Sequence, residues 1–258
     1  MPPSFAGVAR VLVMAAAIGV STAALAQEKA LLPGLRSEDR RQSVTETQWP
    51  WRAIGRVNRA GHGFCTGVLV DERRVLTAAH CLWNPATKAP FAPTSLHFVA
   101  GWSKGSYAAD AGVTGAVLAK VPAYSPTLKT YRVVNDWAVL ELDQPIGKTV
   151  GWVQPLSAEE MDKDVRVGTP LTVAGYNQDI AQSLRVDGGC SVERLARDGL
   201  WFQHACEATK GVSGGPLLVR LDGVYRVAGL LIGVEKGGMS IAVSMKALPV
   251  LRSIAYHE

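Results

Sequence analysis

Short apolar segments, rich in β-branched and aromatic residues and separated by turn formers, recur along most of the chain. Segments of this length and composition are typical of β-strands. Ten of them are predicted as strands, over residues 53–57, 67–70, 74–77, 96–100, 137–142, 171–174, 200–204, 217–221, 225–232 and 240–244. So many short strands without long helical periods predict an all-β sandwich or barrel.

Two segments interrupt this pattern. Apolar residues recur at helical spacing near the C-terminus, at Met245, Leu248, Leu251 and Ile254. They predict a short helix over about 245–255, although Pro249 weakens it. The polar stretch 145–163, which contains Pro155, is predicted as the connection between two halves of the chain.

The N-terminus has the pattern of an export signal. Arg10 precedes a run of small apolar residues over 11–26, which ends in Ala24-Leu25-Ala26. A secretory signal peptide over residues 1–26 is therefore expected, with cleavage after Ala26. The run is shorter than the roughly 20 residues that cross a bilayer, so no lasting membrane anchor is expected. The protein is predicted to be exported and to be periplasmic or extracellular.

Export affects the interpretation of the four cysteines, because disulfides form and persist in oxidising compartments. Cys65 and Cys81 lie 16 residues apart, and Cys190 and Cys206 repeat that spacing. Of the three possible connectivities, pairing within each half of the chain is the simplest. A zinc site is the competing interpretation, but no Cys-x-x-Cys spacing is present, and neither a metal nor another cofactor is expected.

Three short motifs carry the candidate chemistry. The first is LTAAHC, which ends a predicted strand and contains His80, and the second is NDWAVLEL, in which Asp136 precedes another strand. The third is GVSGGPLL, where Ser213 stands among glycines. Each alone is typical of a turn or a cap. A serine nucleophile, however, needs a histidine base and a carboxylate that orients it, and the three occur together in the order His, Asp, Ser.

Together these motifs resemble those of the chymotrypsin-fold serine peptidases, over about residues 49–247. The resemblance implies two packed, six-stranded antiparallel β-barrels, over about 46–150 and 155–245, followed by the short C-terminal helix. The active site is then expected in the cleft between the barrels. Residues 46–258 would form a serine endopeptidase domain that hydrolyses peptide bonds through an acyl-enzyme.

The same resemblance assigns roles to individual residues. Ser213 is expected to be the nucleophile, His80 the general base and then acid, and Asp136 the residue that orients His80. The oxyanion hole is expected to consist of the backbone N–H groups of Gly211 and Ser213. A glycine at 211 fits this role, because an N–H that points at the oxyanion needs a backbone geometry that a side chain hinders.

Two departures from the digestive enzymes concern activation. In those enzymes, activation cuts the chain after a basic residue followed by Ile-Val-Gly-Gly, and the new N-terminal amine pairs with an Asp before the serine. Here Val212 stands in place of that Asp and the cleavage motif is not present, so activation by this mechanism is not expected. The seven-residue step from Cys206 to Ser213, and the stretch 37–57, instead resemble secreted bacterial glutamyl endopeptidase-like enzymes. Residues 27–45 are interpreted as an N-terminal segment or a short propeptide that ends near Arg41.

The substrate pocket implied by the resemblance lies near Glu207 and Ala208 and along the strand after the nucleophile, at Ile232, Gly233 and Val234. Glutamyl-specific members carry a His on that strand, and the corresponding strand here contains none, so a preference for Glu is not expected. Glu207 could attract a basic side chain if it pointed into the pocket, but a surface position beside a disulfide is favoured. Ile232 stands where relatives often place a Ser that supports the catalytic Asp.

Other functions compete with this one. A secreted binding module that kept the fold and lost turnover is the second interpretation, favoured by Val212 and Ile232. An α/β-hydrolase is rejected, because its order is Ser, acid, His, and only His257 follows Ser213. The net charge of +5 is spread along the chain and forms no basic stripe, so nucleic-acid binding is not expected. The expected partner is a peptide or protein substrate.

Overall fold

The computed structural model describes residues 1, 32–36, 39–120, 124–125, 130–234 and 239–249. The expected signal peptide lies outside these residues. The described chain has two short α-helices, α1 (Gly147–Val150) and α2 (Ala158–Asp164). Its strands, numbered along the chain, are β1 (Gln42–Ser43), β2 (Ile54–Arg59), β3 (Phe64–Leu69), β4 (Arg74–Thr77), β5 (Trp83–Asn84), β6 (Ala89–Pro90), β7 (Leu96–Ala100), β8 (Ala109–Leu118), β9 (Tyr124–Ser125), β10 (Thr130–Tyr131), β11 (Ala138–Leu142), β12 (Pro170–Gly175), β13 (Arg185–Ala196), β14 (Trp201–His204), β15 (Pro216–Leu221), β16 (Val224–Val234) and β17 (Ser240–Ser244).

Single turns of 3-10 helix join several of these strands. They lie at Trp51–Ala53, Ala79–Leu82, Pro93–Ser95, Val133–Asn135, Gln178–Ile180 and Met245–Ala247. Within the described ranges, no helix has the length and apolar character that a membrane span requires.

The first half of the chain forms a closed antiparallel barrel in the order β11-β4-β3-β2-β7-β8. Its inward side chains are fully buried, as expected for strands with alternating faces around a filled interior. Core members with no exposed surface include Ile54, Val68, Leu76, Phe98 and Leu140.

The second half forms another six-stranded antiparallel ring, β13-β12-β15-β16-β17-β14, which the pairing of β13 with β14 closes. Its core includes Phe202, Leu217, Leu230 and Val243, all with no exposed surface. The short strand β1 pairs with the start of β13 on the edge opposite β12, where Gln42 is the partner of Val186. The predicted pair of six-stranded barrels is therefore confirmed, and the N-terminal segment attaches to the second of them.

Among the twelve barrel strands, β8 and β13 are the two that the hydrophobic pattern does not predict. β8 reads ADAGVTGAVL, and β13 contains Gly188-Gly189 together with several charges. Glycine, alanine and aspartate have low β-propensity, so these segments look like loops when considered alone. They become strands because each has a pairing partner on both sides, β7 and β11 for β8, and β12 and β14 for β13.

Neither α-helix was predicted; α1 lies within the predicted connection over 145–163, and α2 ends one residue beyond it, at Asp164. A capping box begins α2: Ser157 Oγ accepts from the Glu160 N–H at 3.1 Å, and Glu160 Oε2 accepts from the Ser157 N–H at 2.7 Å. The Ser-x-x-Glu spacing was a readable signal for this helix. Of the predicted C-terminal helix, Met245–Ala247 form a 3-10 turn, and residues from 250 onward lie outside the described chain.

Candidate active site

Strand register brings His80 and Asp136 together. His80 lies on the 3-10 turn that follows β4, and Asp136 lies just before β11. These two strands pair antiparallel with Thr77 opposite Ala138, so the end of one is beside the start of the other. Residues 56 positions apart in the sequence therefore become neighbours.

The contact between the two side chains is direct. His80 Nδ1 lies 2.7 Å from Asp136 Oδ2, and the backbone N–H of His80 donates to Asp136 Oδ1 at 2.8 Å. The Asp136 side chain has no exposed surface, whereas that of His80 is 35% exposed. A buried carboxylate that accepts from Nδ1–H fixes the tautomer, so Nε2 is left as the basic nitrogen.

Two disulfides form with the pairing that the spacing indicates, Cys65–Cys81 and Cys190–Cys206. The first ties β3 to the turn that carries His80. Its sulfur atoms lie within 4.8 Å of a ring nitrogen of His80, but they are bonded to each other and are not thiolate ligands for a metal. The disulfide therefore restrains the backbone next to the imidazole.

The loop that carries Ser213 belongs to the second barrel and is hydrogen-bonded to the first. The Thr66 N–H on β3 donates to the Ser213 carbonyl oxygen at 2.9 Å. The Thr66 hydroxyl donates to the Gly211 carbonyl oxygen at 2.9 Å and accepts from the Tyr176 N–H at 3.0 Å. Thr66 has no exposed surface, so these bonds are made away from water.

Gly214 allows the two barrels to approach each other at this point. Its φ is +80°, and a Cβ there would collide with the Thr77 hydroxyl and the Thr66 carbonyl oxygen. Only glycine tolerates both the dihedral and the contact. The serine loop thus lies against the end of β4, immediately before the turn that carries His80.

The two predicted oxyanion donors are unpaired. Val212, Gly214 and Gly215 all donate their N–H groups to backbone carbonyls. In the described part of the chain, the N–H groups of Gly211 and Ser213 donate to no protein acceptor. Free backbone donors that flank a half-buried serine are what stabilisation of an oxyanion requires.

The backbone at Gly211 explains why glycine is needed there. Its φ is +101°, and a Cβ would lie 2.6 Å from the Tyr176 carbonyl oxygen and 2.9 Å from Phe64 Cε2. The neighbouring Val212 is 1% exposed, and a Cβ added at Gly175 would lie 2.5 Å from its Cγ1. Apolar packing holds the loop at the position where the digestive enzymes use an ion pair.

A cleft of about 550 Å³ lies beside Ser213. Its apolar wall is formed by Leu32, Pro33, Leu231 and Val234, with Gly233 between the last two. Of the predicted pocket residues, Gly233 and Val234 line this cleft. Glu207, Ala208 and Ile232 are not among the described residues that line it, and at 2%, 0% and 6% exposure they are buried.

Glu207 is not the surface residue that the sequence analysis favoured. Its Oε1 accepts from the Arg36 N–H at 2.9 Å, and its Oε2 accepts from the Arg40 N–H at 2.7 Å. The Arg40 guanidinium pairs with Asp187 at 2.9 Å, and Asp187 also accepts from the Glu207 N–H at 2.8 Å. The carboxylate of Glu207 is thus used to bind the N-terminal segment, and it is not available to a basic substrate side chain.

Arg41 connects the N-terminal segment to the rim of the cleft. Its side chain is 2% exposed and pairs with Asp39 and Asp179, each at 2.7 Å. Burial opposes the charge, but the two carboxylates outweigh it and raise the pKa of the Arg41 guanidinium. The hydrogen bonds from Arg41, helped by one from Thr209 and opposed by burial, lower the pKa of Asp179 to about 2. Asp179 lines the cleft, so this ion pair fixes part of its rim.

His204 is the last residue of β14, and Cys206 follows it two positions later; the two do not form a metal site. Cys206 is in a disulfide, and its N–H donates to His204 Nδ1 at 3.2 Å. Burial lowers the pKa of His204 to about 3, so the ring is neutral at physiological pH. Its Nε2 has no partner among the described residues.

Two closed antiparallel barrels, with a His–Asp pair on one and a serine loop of the other held against it, define the chymotrypsin class of fold. The chain belongs to the trypsin family, whose model matches residues 39–247.

Individual relatives agree with this assignment. A glutamyl endopeptidase of Bacillus licheniformis is 26% identical over 193 residues, which cover 70% of this chain and 53% of that protein. The chain thus spans about half the length of this relative. A solved structure of Glu endopeptidase in complex with MPD has a TM-score of 0.68 at 21% identity, over 86% of this chain and 99% of that one. At this identity, the likeness supports the fold.

Proposed function

We propose that this protein is an exported serine endopeptidase in which Ser213, His80 and Asp136 form the catalytic triad. The observation that carries the proposal is the pair of free N–H groups at Gly211 and Ser213, beside a serine whose loop lies against the His80 turn. A structural turn would not need two unpaired donors, since buried backbone N–H groups are almost always paired.

In the proposed reaction, Ser213 Oγ attacks the substrate carbonyl carbon and His80 Nε2 takes the hydroxyl proton. Asp136 holds the ring and stabilises the imidazolium that forms. The Gly211 and Ser213 N–H groups bind the oxyanion, and His80 then donates its proton to the leaving amine. A water that His80 deprotonates releases the acyl group in the same way. No cofactor takes part in these reaction steps.

The cleft favours an apolar side chain before the scissile bond. Its wall at Leu231 and Val234 is aliphatic, and Leu32 and Pro33 extend it. Among the described residues that line it, the two charged ones have opposite signs: Asp179 is already paired with Arg41, while Lys210 is exposed. These described lining residues therefore offer neither an acidic nor a basic side chain an unpaired, buried counter-charge.

The test is covalent labelling of the purified protein with a fluorophosphonate, followed by peptide mapping of the adduct. Labelling at Ser213 that disappears in His80→Ala is expected, because the serine reacts only when its base and oxyanion donors are assembled. Cleavage of a peptide library should accompany it and should be lost in Ser213→Ala. Absence of labelling would instead favour a binding module built on the same fold.

A further inference from the structure

Strand β2 carries two arginines whose charges are not compensated. The guanidinium groups of Arg56 and Arg59 have no carboxylate or hydrogen-bond partner in the described parts of the chain, and the Nε atom of each is buried. Burial lowers the pKa of both side chains. A partly buried charge without a partner costs free energy, so an anionic ligand beside either arginine would be bound favourably. The two side chains point to opposite faces of β2, and Arg56 is the one that faces Phe64 and Trp102.

Aromatic rings hold Arg56 in place. Its guanidinium carbon lies 4.0 Å from the centre of the Phe64 ring and 5.3 Å from that of Trp102. The indole N–H of Trp102 is also buried and without a partner among the described residues. Stacking fixes the guanidinium plane and leaves its edge for hydrogen bonds. The cluster of Arg56, Phe64 and Trp102 therefore presents unused donors on a rigid support.

This cluster lies next to the serine loop. Arg56 pairs directly with Thr66 in the register of β2 and β3. Directly opposed residues of antiparallel strands have Cα atoms about 4.5–5.5 Å apart. The Thr66 N–H in turn donates to the Ser213 carbonyl oxygen at 2.9 Å. Arg56 is thus one strand away from the residue that holds the candidate nucleophile.

The cluster and the described lining of the substrate cleft belong to different parts of the fold. The cleft is lined by second-barrel residues such as Leu231 and Val234. Phe64 belongs to the first barrel, and its ring approaches Gly211 so closely that a Cβ there would lie 2.9 Å from Cε2. With the acyl half in the cleft, we expect the half that is released on cleavage to extend toward the first barrel, where Phe64 and Arg56 lie.

We propose that Arg56 binds a carboxylate carried by one of the first three substrate residues after the scissile bond. The carboxylate is that of an Asp or Glu side chain or of a nearby C-terminus. This inference rests on the proposed function, because it takes its direction from the attack of Ser213 on the substrate. The proposed site gives the enzyme a preference for acidic residues after the scissile bond, whereas the apolar cleft favours an apolar residue before it.

The experiment compares peptides that share one unprimed half and carry Glu or Gln at each of the three positions after the cleaved bond, all amidated at the C-terminus. At the best position, Glu should raise kcat/KM about tenfold over Gln, in line with one charge-assisted hydrogen bond. In Arg56→Gln the ratio should fall to within twofold, and Arg56→Lys should keep part of it. A second arm compares short peptides with a free or an amidated C-terminus, which separates the two sources of carboxylate.

The matched control is Arg220→Gln, because Arg220 also faces an aromatic ring, Tyr225 at 5.7 Å, but lies on the β15–β16 hairpin of the second barrel. This variant should keep the full Glu-to-Gln ratio. An ester substrate with no residues after the scissile bond should be hydrolysed equally by the parent protein and by Arg56→Gln, since the acyl half does not contact Arg56.

Binding to Ser213→Ala separates this inference from the proposed function. A tenfold tighter Kd for the Glu peptide, lost when Arg56→Gln is added, would support the carboxylate site even if the parent protein cleaved no peptide. Cleavage by the parent with equal rates for Glu and Gln peptides would overturn the inference and leave the peptidase assignment intact. A preference for Glu that survives Arg56→Gln would also overturn it.

Discussion

The Thr66 N–H donates to the Ser213 carbonyl oxygen at 2.9 Å, so a strand of the first barrel holds the serine loop of the second. The same residue uses its hydroxyl to join the Gly211 carbonyl oxygen to the Tyr176 N–H. One buried threonine therefore sets the position of the candidate nucleophile and of both oxyanion donors relative to the turn that carries His80.

Thr66→Val should damage both stability and turnover. The substitution keeps the shape of the side chain but leaves a buried carbonyl oxygen and a buried N–H without partners, which costs roughly 2–3 kcal/mol. Urea unfolding measures the loss, and kcat should fall with it because Gly211 loses its anchor. Thr114→Val removes an exposed hydroxyl bond to the Glu141 carbonyl oxygen, at 3.2 Å, and should change neither quantity. Equal effects of the two variants would contradict this view of the junction.

Asp136→Asn should lower kcat by roughly 10³- to 10⁴-fold with little change in KM. An amide in place of the carboxylate no longer holds Nδ1–H of His80 in the required tautomer, and it does not stabilise the imidazolium. Steady-state kinetics on a peptide ester would measure this loss.

A matched control exists on the first barrel, where His97 Nε2 lies 2.7 Å from Asp110 Oδ2 on an exposed surface. Asp110→Asn removes the same type of pair and should leave kcat unchanged. A parent-like kcat in Asp136→Asn would exclude the proposed role for this carboxylate.

Arg41→Met should destabilise the fold by roughly 1–3 kcal/mol, because it leaves the partly exposed carboxylates of Asp39 and Asp179 without their buried counter-charge. KM should rise as well, since Asp179 and the neighbouring Thr209 line the cleft. Arg185→Met, which removes only an exposed bond to the Ser43 hydroxyl, is the comparison.

The contacts of Arg41 also predict that proteolytic cleavage after this residue inactivates the protein. An activity assay after limited proteolysis would test this.

Gly233→Leu should narrow the substrate cleft without harming the fold. A Cβ at this position meets no atom within 4 Å, so the new side chain is free to project into the cleft that Gly233 lines. Cleavage after Leu or Phe should fall by about tenfold relative to cleavage after Ala. Gly115→Leu, on β8 of the first barrel, should leave the ratio unchanged. If the Leu-to-Ala or Phe-to-Ala cleavage ratio of Gly233→Leu equals that of the parent, this cleft does not bind the side chain before the scissile bond.

Stability should decline on the acid side of neutrality because of His204. Its folded pKa of about 3 lies below the usual value of 6.5, so the unfolded chain binds a proton that the folded protein does not. The contribution of the neutral ring is complete above pH 6.5 and is lost as the pH falls toward 3. At pH 4 the loss amounts to about 3 kcal/mol.

Denaturant unfolding at a series of pH values from 4 to 8 would detect this effect. His204→Phe should be less stable than the parent at pH 7, because the Cys206 N–H loses its acceptor, but its stability should depend less on pH below 6.5. His97→Gln, at an exposed site, should retain the parent slope. If the free energy of unfolding of His204→Phe falls with decreasing pH as steeply as that of the parent, groups other than His204 cause the acid sensitivity.

Much of the fold follows from local patterns. Ten of the twelve barrel strands are predicted by their apolar and β-branched residues. Three of them have the predicted bounds: Arg74–Thr77, Leu96–Ala100 and Ser240–Ser244. The two cysteine spacings indicated the observed disulfides, since each pair closes a short loop within one barrel. Strand propensity and short-range loop closure are local properties, so the sequence contains them.

The motifs around His80, Asp136 and Ser213 identified the residue types of the site in the same way. What brought His80 and Asp136 into contact was the pairing of Thr77 with Ala138, a relation between distant segments. The glycine-rich strand β13 likewise exists because both of its neighbours pair with it.

Only the tertiary structure decided the use of Glu207, Arg41 and Arg56. A glutamate beside a disulfide looks like a surface residue until Arg36 and Arg40 present their N–H groups to it from about 170 positions away. Arg56 is one of many arginines in the sequence, and its unpaired charge becomes visible only beside Phe64, Trp102 and the serine loop. Burial and charge pairing depend on contacts between distant segments. The sequence therefore determines which residues are capable of the chemistry, and the tertiary structure determines which of them are paired and which can bind a substrate.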